Sequence, residues 1–414
     1  MPERRRVVIT GIGVISPVGQ EKKPFLSALR EGKSGIKTIT SFDTSRHETH
    51  FGGEVTDFDT TKWFDVKEAR RLDRFSQFAV AASIMAIEDS GLQIDSLDRT
   101  RIGVLVGSGM GGLLELEAQH TILMNKGPSR ISPFMVPKLM VNAASAQVAI
   151  RFGIKGANYA IVTACTTGAN AIGEAVRIIQ RGDADIMITG SSEAVITPLA
   201  LAGFGAMKAL STRNDAPQKA SRPFNRDRDG FVLSEGAGIL VIEDIEAAKK
   251  RGARIYAEVL GYGLSADAYH IASPETGGDG GMRCMSSALK DAQCNPEDID
   301  YINAHATSTP VGDNIEIQAI RKVFGQSAPK IPISSTKSML GHQLGASGSV
   351  EIIICALTIT EGFIPPTINH EAPAPECAGL DFVPNVSRDK KVNKVLSNSF
   401  GFGGHNASVI LGRL

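Results

Sequence analysis

Short unbroken apolar runs alternate with longer amphipathic stretches along this chain. The first run is Val7, Val8 and Ile9, closed by Thr10 and Gly11. Others recur in IGVLVGSG from Ile102, ANYAIVTAC from Ala157, ADIMITGSS from Ala184, AGILVIED from Ala237, YAEVLGYG from Tyr256, DIDYINAH from Asp298 and VNKVLSNSFGFGG from Val392. Runs rich in Val and Ile, ended by Gly or small residues, predict buried strands. Between them Arg74 to Ser90, Thr167 to Arg181 and Val350 to Glu361 predict helices. The rhythm predicts an α/β protein, with helices on both faces of mostly parallel sheets. A charged stretch, AAKKRGAR from Ala247 to Arg254, separates two groups of strands and sets a boundary near residue 250. The expected halves are 1–250 and 251–414. Each has a long central loop region and Gly-rich turns after its strands, which hints at duplication. Gly127 to Met135, Ser211 to Gly230 and Ser265 to Gly281 are too long for simple connectors and suggest a binding site or an interface.

Composition narrows the class. The 414 residues are 42% hydrophobic, 21% charged and 6% aromatic, which suits a globular chain long enough for two domains. Lys+Arg and Asp+Glu number 44 each, so the basic excess of a dedicated nucleic-acid binder is missing. The 43 glycines follow no three-residue period, which excludes collagen. Five scattered cysteines with no CxxC pair make a poor disulfide framework and fit a reducing, cytoplasmic setting. The apolar start is broken by Gly11, Gly13 and Pro17 and predicts a first strand rather than a leader. No run approaches the ~20 apolar residues that span a bilayer, so membrane insertion is not expected.

Four segments carry candidate chemistry. Cys165, in AIVTACTTGANAIGEAV, sits where a strand runs into a small-residue helix. A helix N-terminus lowers a thiol pKa, so this position suits a nucleophile; a buried core cysteine is the rival reading. His305, in INAHATSTPVGDNIE, leaves a strand and suits an acid, base or hydrogen-bond donor, or a structural histidine. Thr307, Ser308 and Thr309 suit ligand hydrogen bonds, or capping ahead of Pro310. Lys337 and His342 share STKSMLGHQLGASG, where the cation favours a neutral imidazole. Glu351 follows in an apolar helical run, where a buried carboxylate demands a partner; a helix-start acid is the alternative. In SNSFGFGGHNAS, Phe400, Gly401, Phe402, Gly403 and Gly404 suit a gate or a tight turn between strands.

Two signals are set aside. GSGMGG from Gly107 matches G-x-G-x-x-G but lacks the acidic residue ~20 positions on. The eight histidines form no HExxH or zinc spacing. Lys67, Arg70, Arg71 and Arg74 would share one helical face, and Lys208 and Arg213 add charge elsewhere. That face suits an acidic partner or plain solvent.

Taken together, TACTTG, HATSTPVGD, STKSMLGHQLGASG and NSFGFGG resemble the beta-ketoacyl-acyl carrier protein synthases of dissociated fatty acid synthesis, over almost the whole chain. The resemblance implies a thiolase-like αβαβα five-layer sandwich of two similar halves, the first bearing the nucleophile and the second the histidines. It places the acyl-accepting thiol at Cys165 and the catalytic histidines at His305 and His342, with Lys337 catalytic and Glu351 in support. The oxyanion hole and gate fall on Cys165, Phe402 and Phe400. It gives pantetheine contacts to Thr307 and Thr309, the acyl pocket to Met110 and Phe134, and a channel border to Ile271 and Ser273. The partner implied is an acyl carrier protein docking on Lys67, Arg70, Arg71, Arg74, Lys208 and Arg213. A homodimer is implied, with no metal or redox cofactor. A ketosynthase subunit of an aromatic polyketide synthase and a catalytically inactive heterodimer partner share the fold.

Overall fold

The computed structural model describes residues 4–414. Ten strands form the main sheet: β1 (Val7–Ile15), β2 (Ile102–Gly107), β3 (Asn158–Tyr159), β4 (Ile186–Glu193), β5 (Gly236–Asp244), β6 (Ala257–Ala266), β7 (Tyr301–Asn303), β8 (Ile333–Ser334), β9 (Lys394–Gly401) and β10 (His405–Gly412). Their order is β8-β7-β9-β10-β6-β1-β5-β4-β2-β3. Numbered from its own first strand, each half therefore has the order 1-5-4-2-3. The halves meet where β1 pairs with β6, Val8 opposite Glu258 and Ile9 opposite Ala257. A shared strand order on both sides of that seam is what an internal duplication produces, and it strengthens the hint read from the loops.

The sheet is mixed, not mostly parallel. β4 runs parallel to β2, and β9 to β7, but β5 is antiparallel to both β4 and β1, and β10 to both β9 and β6. Uniformly buried runs such as GAGILVIED predict burial on both faces and say nothing of direction. Direction here follows from β5 and β10 each returning beside the strand before it.

The helices that position the site are α1 (Arg74–Ser90), α2 (Ala143–Phe152), α3 (Thr167–Arg181), α4 (Asp279–Asp291), α5 (Pro310–Phe324) and α6 (Ser347–Glu361). α1 and α2 cover the first half of the sheet, α4 and α5 cover the second, and α3 and α6 lie together between the two halves. This is the layered α/β architecture that the family resemblance implied. Gly11 and Gly13 let α1 lie directly on β1, because a Cβ at either would overlap the Ala86 or Ala82 carbonyl. The central helices approach as closely. A Cβ at Gly168 would lie 2.5 Å from Ser349 N, and one at Gly348 would lie 2.8 Å from Ala169 N. Each glycine is the second residue of its helix, so the two N-termini are pinned side by side. α6 is apolar on all sides and buried from Ser347 to Ile359, as a helix inside a core must be. Leu344–Glu361 is long and apolar enough to cross a membrane by length and composition, yet 89% of it is buried inside the fold. The sequence expectation missed this span, because the core of a layered protein selects the same side chains as a bilayer.

Candidate active site

Cys165 stands in a 3₁₀ turn, Ala164–Thr166, immediately before α3. Ala164 has φ 51°, a left-handed conformation costing a non-glycine residue about 1–3 kcal/mol. Hydrogen bonds hold the turn: Thr167 Oγ1 donates to Ala164 O at 2.7 Å and Thr166 Oγ1 donates to Thr163 O at 2.7 Å. The N–H of Phe402 hydrogen-bonds the sulfur, so the thiol already lies against one of the two donors assigned to the oxyanion. Glycine at 401 keeps the neighbouring hairpin off the other, because a Cβ there would sit 3.1 Å from Cys165 N.

The expected depression of the thiol pKa does not appear. Burial pushes Cys165 up to about 11, against the pull of the Lys337 charge and the Phe402 N–H. The site is too dry for the helix position to dominate, so the resting group is a thiol.

His342 Nε2 lies 3.0 Å from Cys165 Sγ, and Ser347 Oγ lies 3.0 Å from His342 Nδ1. The same hydroxyl oxygen accepts from the Gln343 N–H at 2.9 Å, which fixes the turn carrying the imidazole. His305 completes the group, its ring centroid 5.4 Å from that of His342 at an interplanar angle of 84°. Its Nδ1 is buried with no hydrogen-bond partner. Burial, then the Lys337 charge, lowers both imidazoles well below the ordinary histidine range, so both are neutral. This agrees with the neutral imidazole read from the Lys337–His342 spacing.

Behind the histidines Lys337 Nζ donates to Glu351 Oε1 at 2.5 Å, each side chain 1% exposed. Glu351 is the fifth residue of α6, one turn past the helix start, and has the charged partner that its burial demands. Glu316, on α5, supports His305 from the other side. It accepts from the N–H groups of His305 at 2.9 Å and Ala306 at 2.7 Å, and from Asn398 Nδ2 at 3.1 Å. Sequence reading missed Glu316, although an acid eleven residues past His305 on a helix leading away from it was a usable signal.

A cleft of ≈ 400 Å³ opens onto these groups. Cys165, His305, His342, Thr307, Thr309, Phe400 and Phe402 all line it, with Ser273 and Lys208 toward its walls. Two of the long loops contribute, through Asp229 and Gly230 and through Ala272 to Glu275. The Phe-Gly segment is a hairpin turn between β9 and β10 as well as a cleft wall, with Gly401 opposite His405. Gly403 N donates to the Ile271 carbonyl at 2.7 Å, tying this turn to the loop that carries Ser273. Ile271 itself is 75% exposed. Thr309 also caps α5, accepting from Gly312 N at 3.2 Å, so the capping reading holds for it.

Other candidates lie elsewhere. Met110 and Phe134, 38% and 39% exposed, do not border the cleft of this single chain. Met110 is on the turn behind Glu193, and the Phe134 ring lies under the Arg71 guanidinium at 5.2 Å. The basic cluster is not one helical face. The first helix there stops at Ala69, and Arg74 opens α1 after a turn. Arg74 is turned inward, donating to Glu235 and to the Val55 carbonyl. The buried helix cap Asp73 ends any continuous helix. Lys67, Arg70 and Arg71 are exposed with Val66 and Phe134 around a shallow depression. Lys208 and Arg213 pair with Glu48 and Asp227.

A buried thiol against one of two neutral imidazoles, at the paired N-termini of central helices, defines an acyl-transferring condensing enzyme of thiolase-like fold. The signature of the Beta-ketoacyl synthase N-terminal domain matches residues 4–248, and that of the Beta-ketoacyl synthase C-terminal domain matches residues 256–371. A 3-oxoacyl-[acyl-carrier-protein] synthase 2 of Synechocystis is 53% identical, with 98% of each chain covered. One of Coxiella burnetii is 51% identical over 100% of this chain and 99% of its own. Among solved structures, the ishigamide ketosynthase/chain length factor superposes with TM-score 0.94 at 39% identity over 100% of both chains. A type II polyketide ketosynthase solved with its acyl-carrier protein does so with TM-score 0.92 at 35% identity, again over 100% of both. The chain belongs to the beta-ketoacyl synthase family, in its synthase II type. Its activity is the condensation that elongates fatty acids.

Proposed function

We propose that Cys165 carries the acyl chain and that His305 and His342 serve the condensation that follows. The observation that carries this reading is the 3.0 Å approach of Cys165 Sγ to His342 Nε2, with a second neutral imidazole in the same cleft. The thiol attacks an acyl-carrier thioester, and its proton passes to the departing pantetheine sulfur. The N–H groups of Cys165 and Phe402 hold the oxyanion. A malonyl carrier then enters and loses carbon dioxide, leaving an enolate. His305 and His342 donate hydrogen bonds to that enolate oxygen, and being neutral they do so without quenching its carbon as a nucleophile. The carbon attacks the acyl-Cys165 carbonyl, and collapse expels the Cys165 sulfur and releases a 3-oxoacyl carrier two carbons longer. Lys337 and Glu351 hold the site geometry and the imidazoles' protonation state, and Thr307 and Thr309 bind the pantetheine arm.

His305→Ala and His342→Ala test this division of labour. Each variant is expected to take up an acyl group on Cys165, seen by intact-protein mass, while condensation falls by about 10²–10⁴-fold. Equal loss of both half-reactions in each variant would sink it. A second reading, a polyketide ketosynthase, is favoured by the ketosynthases among the solved relatives, and repeated malonyl addition without reduction would reveal it.

The partner is an acyl carrier protein, received on Lys67, Arg70 and Arg71, which have no ion pair among the described residues. Carrier proteins of this pathway are acidic in the resembling family, so exposed cations would steer the encounter. Arg74 drops out of this patch, being paired inward, and Lys208 marks the cleft mouth. Reversing Lys67 and Arg71 to Glu is expected to raise KM for carrier substrates several-fold, with little effect on small pantetheine thioesters. The effect shrinks with salt, because exposed charges are screened over about 8 Å at physiological ionic strength. An unchanged KM for the carrier at low salt would overturn the assignment. The protein works as a cytoplasmic homodimer in which Met110 and Phe134 complete the acyl pocket. Its halves, 1–250 and 251–414, supply the thiol and the imidazoles respectively.

A further inference from the structure

The duplication leaves a second turn that matches the nucleophile turn. Leu344–Ala346 is a 3₁₀ turn immediately before α6, as Ala164–Thr166 is before α3. Leu344 has φ 46° where Ala164 has φ 51°, so the same strained residue opens each turn. Gly345 therefore stands where Cys165 stands in the other half. Its N–H points to a hole like the one proposed for the oxyanion, but that hole is filled. The Glu193 side chain, at the end of β4 and fully buried, accepts from the Gly345 N–H. The same carboxylate accepts from Ser108 Oγ at 3.0 Å, from Met110 N at 3.4 Å and from the Gly109 N–H. Only glycine fits at 345, where a Cβ would sit 2.5 Å from Glu193 Oε1. All four contacts are donors, which favours the ionised carboxylate, although burial pushes the group up to about 7.

We propose that Glu193 is a positioning residue for condensation: its carboxylate fills the duplicated N–H hole at Gly345 and so fixes the turn that holds His342 against Cys165. The inference rests on the roles proposed above for Cys165 and His342. His342 immediately precedes the Gln343–Ala346 turn, closed by the Ala346 N–H on the Gln343 carbonyl at 2.9 Å, so releasing the Gly345 N–H loosens the C-terminal side of the imidazole's segment while Val232 and Ser234 still hold its backbone. Cys165 is held separately, by Thr163, Thr166 and Thr167.

The test uses the full-length Glu193→Gln variant, which keeps the shape but presents an amide N–H to a cradle of donors. Expected are a melting temperature near that of the parent, full acylation of Cys165 by intact mass, and a condensation kcat lowered about 10-fold or more. KM for the malonyl carrier should stay within about twofold. Glu193→Asp, which keeps the charge but shortens the reach, is expected to retain more kcat than Glu193→Ala. A parental kcat in Glu193→Gln would overturn the proposal. So would acylation and condensation falling in equal proportion, which is the mark of a fold support. A failure of the Cys165 and His342 roles would show instead as condensation surviving in variants of those two residues, so the two failures are distinguishable.

Discussion

Cys165→Ala is expected to abolish condensation, by at least about 10⁴-fold in kcat, the scale at which removal of a nucleophile acts in comparable enzymes. The cause is geometric as well as chemical. The 3₁₀ turn, the strained Ala164 and the Phe402 N–H all converge on one sulfur. No other cysteine substitutes for it: Cys284, Cys355 and Cys377 are buried among other partners, and Cys294 hydrogen-bonds the Ala292 carbonyl. Intact-protein mass after incubation with an acyl carrier should show no adduct. Malonyl decarboxylation should survive, because forming the enolate needs the imidazoles and the N–H donors but no covalent acyl group. Retained condensation in the purified variant would overturn the assignment of the nucleophile.

Lys337→Met is expected to destabilise the fold by about 3–5 kcal/mol at pH 8, the usual consequence of leaving one member of a buried ion pair alone. Glu351 is pushed up to about 7 by burial, even with Lys337 drawing it down. Without the cation its folded pKa rises further above the unfolded value of 4.5. A carboxyl whose folded pKa is raised destabilises progressively as pH rises from its unfolded value through its folded one. The variant should therefore be least impaired near pH 5 and lose stability toward pH 8. Lys337→Met combined with Glu351→Leu should recover most of the loss, because neither charge is then buried. Urea unfolding at the two pH values reads this directly. A single variant within about 1 kcal/mol of the parent at pH 8 would show that the pair carries no such energy. Because the Lys337 charge adds to burial in keeping both imidazoles neutral and Lys337 packs behind them, the double variant should fold yet condense more slowly than the parent.

The matching strand order of the two halves goes with an economy of parts at the site. One backbone device, a 3₁₀ turn opened by a left-handed residue and followed by a helix, occurs twice. In the first half it presents Cys165. In the second it presents Gly345, and the turn leading into it carries His342. Gly168 and Gly348 bring the two devices side by side, so a thiol from one half meets an imidazole from the other at 3.0 Å. The cleft is thus a consequence of how the halves pack, and neither half has it alone.

Much of this was legible in the sequence. The helices Arg74–Ser90 and Thr167–Arg181 were readable to the residue, because Asp73 and the small residues after Cys165 start them and Gly91 and Gly182 end them. The motifs around Cys165, His305, Lys337, His342 and Phe402 were readable as well, since each joins reactive or glycine residues to the end of an apolar run. Strand direction was not, because a strand buried on both faces has the same composition whichever way it runs. The basic face from Lys67 to Arg74 failed for a related reason. Helical spacing assumes an unbroken helix, and the buried Asp73 cap interrupts it and sends Arg74 inward to Glu235. Burial decided the thiol's protonation: position at a helix start favours the anion, but the desolvation that raises Cys165 to about 11 depends on groups from both halves. Glu193 was invisible as a site residue because what makes it one is the backbone N–H groups it receives, one of them on a turn 84 residues away; Glu316 offered only its place on a helix eleven residues past His305, and its partnership with the His305 N–H is set by folding. Local chemistry and periodicity are written along the chain, whereas solvent exclusion and hydrogen-bond partnership arise only when distant segments pack together.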